Sequence, residues 1–152
     1  MSKRTQAALN AVMRLVLATP LLHRAVSGRV LVIDVVGRRT GRRYRFPVGY
    51  VRGDGELLVG TGGRWRRNLR PGEQVKVTVA RRRRTMTAEV VTDESAITPL
   101  YRTILAGNPV HGRYAQIRHE PDGTPDAGDL RAALARGVAV VRLRPAISTA
   151  SR

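Results

Sequence analysis

The chain has 152 residues, 42% of them hydrophobic, with no Cys and with 28 Lys and Arg against 11 Asp and Glu, a formal net charge of +17. That length and apolar content predict one domain with a real core and exclude a disordered polycation. The lack of Cys excludes disulfide staples, thiolate ligands and Cys nucleophiles, and His23, His111 and His119 are too scattered for a local ligand spacing, so no metal site is expected.

The charge predicts an acidic partner: nucleic acid, an anionic membrane surface, or a ligand bearing phosphates and carboxylates. All the basic residues except Lys3 and Lys76 are Arg, which favours planar, bidentate contacts with such groups. The arginines cluster at Arg38 to Arg45, Arg64 to Arg70 and Arg81 to Arg84, between apolar runs rather than in a tail, which suggests loops of a folded domain.

Residues 5–18 set Leu9, Val12, Met13 and Val16 at helical spacing, an amphipathic helix that Pro20 should end. The stretch is too short and too interrupted to span a bilayer and lacks a secretory cleavage pattern, so residues 1–28 read as the helical segment of a cytoplasmic protein. With Lys3, Arg4, Arg14 and Arg24 beside it, peripheral contact with an anionic membrane is the alternative. Residues 30–36 are dense in β-branched side chains, residues 37–41 interrupt them, and residues 44–51 resume an extended pattern. A turn at Gly53-Asp54-Gly55 leads into a third strand over residues 56–60, which makes a three-stranded antiparallel meander. Pro47 and Gly49 within the second strand mark an edge, a bulge, or a close approach of ligand to backbone.

After Thr61-Gly62-Gly63, Trp65 and Leu69 lie four apart, consistent with one or two helical turns. Residues 74–80 and 85–92 predict a further hairpin. Asp93, Glu94 and Ser95 read as a helix start, with Pro99 pulling the expected start toward Thr98. Residues 110–128 read as a long surface loop or lid in which His111 and His119 are exposed, residues 129–136 as a short helix capped by Gly137, and residues 138–143 as the last strand. The domain is thus expected over residues 29–145, with residues 146–152 a flexible tail. The fold class is mainly β with flanking helices, about six antiparallel strands curled into a barrel.

Two loops carry the chemistry. Gly37 to Gly41 offers two glycines, a hydroxyl and two guanidinium groups, which suits a backbone nest for phosphate, with Arg42, Arg43 and Arg45 beside it; a solvated turn is the plain alternative. Thr61, Gly62 and Gly63 allow close backbone approach and add a hydroxyl. Trp65, the one Trp, follows that loop with Asn68, and is either a cover for a flat ring system or a core residue.

Residues 30–36, the Gly37-Arg38-Arg39-Thr40-Gly41 turn, Pro47, Gly62-Gly63, Trp65, Asn68-Leu69, Val75-Lys76-Val77 and the closing Val140 to Pro145 together resemble the deazaflavin (F420)-dependent nitroreductase family of actinobacteria, over residues 29–145. The resemblance implies a split β-barrel like that of FMN-binding flavoreductases, commonly a homodimer, with coenzyme F420 as hydride carrier and a quinone, nitroaromatic or activated alkene as acceptor. Carried over by position, it implies that Arg38, Arg39, Thr40 and Gly41, assisted by Arg45, cradle the coenzyme's phosphate and glutamate tail. It further implies that Pro47, Val48 and Gly49 line the deazaflavin, that Thr61, Gly62 and Gly63 contact the ring or ribityl chain, and that Trp65, Asn68 and Leu69 close the pocket. The stretch between Gly63 and Trp65 is shorter than in many relatives, and residues 106–128 carry no clear aromatic acceptor motif.

In that reading the cofactor carries the chemistry and the protein binds, orients and excludes water. Tyr101 and Tyr114 are the candidate proton donors, with packing roles as the alternative. Competing readings are an FMN- or haem-binding relative, a cofactor-storage protein, and a basic nucleic-acid-binding module; aromatic residues at 4% and the lack of a known RNA or DNA motif weigh against the last.

Overall fold

The computed structural model describes residues 30–146. The expected N-terminal helix and the tail beyond residue 146 lie outside the described residues. Seven strands form one antiparallel sheet: β1 (Val30–Val36), β2 (Arg43–Gly49), β3 (Val51–Arg52), β4 (Leu57–Thr61), β5 (Glu73–Val79), β6 (Arg82–Val91) and β7 (Ala139–Pro145). Among the described residues three helices accompany it, α1 (Glu94–Gly107), α2 (Pro109–Ala115) and α3 (Ala127–Ala135), with a 3-10 segment at Arg64–Asn68.

The sheet order is β2-β1-β5-β6-β7-β4-β3. Its two margins, β2 and β3, are joined in the chain by Tyr50 alone, and β2 packs beside β4 without pairing with it. The sheet is therefore rolled into a barrel with one unpaired seam, the split barrel expected. The meander expected over residues 30–60 is corrected by the same feature: the second strand breaks at Tyr50, its first part pairing β1 and only Val51–Arg52 pairing β4.

Alternation drives the roll. Leu31, Ile33 and Val35 of β1 are buried, as are Val75, Val77 and Val79 of β5, and with Met86, Ala88, Val141 and Leu143 they fill the barrel. Each such aliphatic side chain contributes about 1.5–3 kcal/mol on burial. On the opposite face, Leu58, Val91 and Val140 form a second core under the helices. Ile97, Tyr101, Ile104 and Leu105 repeat at helical spacing and bury that face of α1.

Three expectations give way to local physics. The helix starts at Glu94, not near Thr98, because Asp93 caps it, its carboxylate accepting from the Ala96 N–H at 3.0 Å, and Pro99 sits inside. Pro99 leaves the carbonyl one turn back, on exposed Ser95, to water. The expected long loop is half helix: Asn108 caps α2 and Pro109 takes its first position, so only residues 116–126 are irregular. The third basic cluster is not a loop, since Arg82, Arg83 and Arg84 lie in β6. The hairpin turns at Ala80 (φ 48°) and Arg81 (φ 67°), a left-handed pair without the glycine that would signal it.

Candidate functional site

The two loops singled out by sequence lie together. The Arg38 N–H donates to Asn68 Oδ1 at 3.1 Å, and the Arg38 guanidinium donates to the Arg67 carbonyl at 3.3 Å. Asn68 Nδ2 donates in turn to the Trp65 carbonyl at 3.2 Å, so one amide side chain clips the turn to the 3-10 segment. Arg66 fixes the far side of that segment by donating to the Gly137 carbonyl from Nε at 3.3 Å and from its terminal nitrogen at 2.9 Å.

Within the turn, the Gly37 N–H reaches the Arg42 carbonyl at 2.8 Å, the Gly41 N–H reaches the Gly37 carbonyl at 2.9 Å, and the Arg42 N–H reaches Thr40 Oγ1 at 3.3 Å. Gly41 has φ +67°, which explains its place there. Of the backbone donors that a nest would use, those of Gly37, Arg38 and Gly41 are engaged, and the Arg39 and Thr40 N–H groups have no partner among the described residues. Arg39, Arg42, Arg64 and Arg67 are exposed and have no carboxylate partner among the described residues, whose ion pairs engage Arg45, Arg83, Arg118, Arg131, Arg142 and Arg144. The positive charge is left uncompensated where the loops meet.

Several sequence-assigned residues take other roles. Arg45 stands on the outer face opposite Asp34 and pairs with it at 3.5 Å, beside the Arg83–Asp34 pair at 2.9 Å, so it is committed away from the turn. Strand alternation also divides Pro47, Val48 and Gly49: Val48 packs into the barrel core, while Pro47 and Gly49 fall on the other face. Leu69, 8% exposed, belongs to the barrel core. Trp65 packs against that core, edge-on to Phe46 with centroids 5.3 Å apart, as a plug at the barrel end. Thr61 Oγ1 accepts from the Gly63 N–H at 2.9 Å and from Trp65 Nε1 at 3.1 Å, which engages both lone pairs and leaves only its proton to offer. Gly63 is required by this fold-back, since a Cβ there would sit 2.7 Å from Trp65 Cδ1. Gly62 is exposed and free of such crowding.

The candidate proton donors fare differently. Tyr114 stands 91% exposed on α2. Tyr101 is fully buried, and its hydroxyl lies 3.1 Å from His111 Nε2. His111, expected in an exposed loop, is half-buried, and it lines a small cleft with Gly49, Tyr50, Gly60 and Asn108. The sequence reading takes His111 for an exposed loop residue rather than a catalyst, although Asn108-Pro109 is a legible helix start, whose cap accepts from the His111 N–H.

A family model described as F420H(2)-dependent quinone reductase matches residues 9–120. The chain belongs to this family. It is an F420-dependent oxidoreductase, and coenzyme F420 is its cofactor. Among solved structures it is similar to one described as an F420-H2 dependent reductase (FDR-A), at 13% identity and a TM-score of 0.51, over 76% of this chain and 94% of that one. A protein of unknown function from Agrobacterium tumefaciens gives 15% identity and a TM-score of 0.52, over 85% of this chain and 55% of that one. At these identities the likenesses establish the fold, a split barrel. A comparison with curated proteins returns no match. The uncompensated guanidinium groups fit a coenzyme whose phosphate and glutamates are acidic. Among the described residues, no helix is long and apolar enough to cross a membrane.

Proposed function

We propose that this oxidoreductase moves a hydride between F420H2 and a quinone or similar small organic acceptor, with the coenzyme's acidic tail held where the residue 37–41 turn meets the 3-10 segment. The observation that carries this reading is the Asn68 clip, which gathers unpaired arginines from two distant stretches of sequence. Arg38, already braced on the Arg67 carbonyl, orients its guanidinium at low entropic cost, and Arg39, Arg42, Arg64 and Arg67 supply the remaining charge. Pro47 and Gly49 would line the ring from β2, with Thr61 and Gly62 meeting it from the end of β4, which packs beside that strand. The bound coenzyme supplies the two-electron chemistry, and the protein's part is to bind, to orient and to exclude water. A homodimer belongs to the same reading; it draws on a structure of the same fold described as a domain-swapped dimer, at 13% identity and a TM-score of 0.51 over 94% of this chain and all of that one.

Titration of oxidised F420 by fluorescence tests the tail site. Arg38→Ala with Arg39→Ala should weaken binding by about tenfold or more, the loss of one or two charge-assisted contacts. Arg82→Ala with Arg84→Ala, at the other hairpin, should change it by less than about threefold, the worth of exposed charge. Equal losses would mean that diffuse charge, not this cradle, holds the coenzyme.

A further inference from the structure

Beneath the junction of α1 and α2 lies a polar pair in an otherwise apolar layer. The Tyr101 hydroxyl and His111 Nε2 are 3.1 Å apart, with ring centroids at 5.6 Å. Glycine at position 60 makes room for them: a Cβ there would fall 2.7 Å from His111 Nε2 and 2.9 Å from the Tyr101 hydroxyl. The cleft that His111 lines measures about 60 Å³, space for about two waters or for one carbonyl edge. Gly49 lines it too, so it adjoins the strand end proposed above for the deazaflavin.

The hydrogen bond fixes the imidazole tautomer. A phenol has one proton, and among the described residues His111 is the sole partner of the Tyr101 hydroxyl. If Nε2 carried the hydrogen and donated, the phenolic proton would have no protein acceptor among the described residues, a cost that a buried hydroxyl avoids by donating. The hydroxyl therefore donates to Nε2, and the ring's own hydrogen sits on Nδ1. Nδ1 has no partner among the described residues, and no fully buried side-chain nitrogen or oxygen there lacks one, so Nδ1 is an atom that solvent reaches. Burial holds the His111 pKa below its ordinary value and pushes that of Tyr101 up, so both stay neutral near pH 7. Tyr50 is the other titratable group lining the cleft, and none of the cleft residues carries a charge.

Resting on the function above, we propose that His111 is a catalytic residue whose Nδ1–H donates a hydrogen bond to the acceptor's carbonyl oxygen, with Tyr101 the positioning residue that holds this tautomer. The hydride, two electrons and one hydrogen nucleus, would leave a C–H bond of the reduced coenzyme and form an O–H bond at one quinone oxygen, the ring π electrons shifting so that the second carbonyl π pair comes to rest on the oxygen that faces His111. The hydroquinone monoanion so formed takes its last proton from water, and the coenzyme, oxidised by loss of the hydride, releases its own N–H proton to water, so that two electrons and two protons pass in all. A neutral imidazole N–H aimed at that oxygen stabilises the charge as it develops, without having to give up its own proton.

Two measurements test this. In the cofactor-free protein, long-range ¹⁵N–¹H spectra should show His111 protonated at Nδ1 and bare at Nε2, and Tyr101→Phe should shift it toward a mixture. With F420H2 and 2-methyl-1,4-naphthoquinone, His111→Phe should lower kcat about 100-fold while leaving the F420 titration within about twofold, and His111→Asn, whose amide stands near the Nδ1 position, should recover part of the loss. An Nε2-protonated ring in the wild type, or a His111→Phe enzyme that folds and keeps its kcat, would overturn the assignment. A wild-type protein that binds no F420 would instead overturn the function on which it rests, and the tautomer result would still be read on its own.

Discussion

Asn68→Ala removes the clip between the turn and the 3-10 segment while leaving every arginine in place. Two hydrogen bonds go: the Arg38 N–H to Oδ1 at 3.1 Å, and Nδ2 to the Trp65 carbonyl at 3.2 Å. The first is exposed and the second only partly buried, so each contributes at the low end of the usual range, about 0.5–1 kcal/mol. The sum, about 1–2 kcal/mol, is the free energy available to hold the two basic stretches in register. If coenzyme binding must restore that register, the dissociation constant rises by about 5- to 30-fold, since about 1.4 kcal/mol corresponds to tenfold. The melting temperature falls by about 2–8 °C in a chain of this size. Fluorescence titration of F420 reads the first effect and calorimetry the second. Wild-type affinity in a variant with the lowered melting temperature would refute the reasoning, because it would mean that the arginines bind independently of their alignment.

Two further outcomes follow from contacts away from the turn. Gly60→Ala puts a methyl group 2.7 Å from His111 Nε2 and 2.9 Å from the hydroxyl of fully buried Tyr101, and should destabilise the fold by about 1–3 kcal/mol and break the His111–Tyr101 bond, with the F420 titration unchanged; an unaltered melting temperature and unaltered His111 resonances would show that the layer yields. Glu56, whose side chain is 8% exposed, is pushed up by burial, but hydrogen bonds and charge from Arg142 and Arg144 outweigh this and hold its pKa below the ordinary carboxylate value. Its contribution is therefore full at neutral pH and lost as pH falls through the depressed pKa, so the acid limb of a stability-versus-pH curve should flatten in Glu56→Gln; an unchanged limb would assign acid unfolding to other groups.

The barrel was legible because its strands alternate: Leu31, Ile33 and Val35, or Val75, Val77 and Val79, announce both the strand and its buried face. What stayed hidden depends on partners distant in sequence. The commitment of Arg45 to Asp34 follows from cross-strand register, which no local pattern encodes. Period-two alternation divides Val48 from Pro47 and Gly49, a division that a ring-lining role carried over by position does not distinguish. The Ala80-Arg81 turn carries no glycine, so only the pairing of Val79 with Arg82 reveals it. His111 was obscured because Pro109 and Gly112 read as loop residues, whereas the Asn108 cap and the space over Gly60 draw the ring inward. The two glycine-bearing loops meet, as their shared chemistry implies, but through the Asn68 amide, whose joining role no local pattern signals.

The single-residue joint at Tyr50 has a mechanical consequence. Because β2 runs directly into β3, sliding β2 along β1 would drag β3 along β4, and both ladders must then break together. The strand end at Gly49 and the cleft wall at Gly60 are thus geared to one another across a seam that no hydrogen bond closes. A covalent joint of one residue, in place of a ladder, thus sets the stagger of the two strands that border the seam.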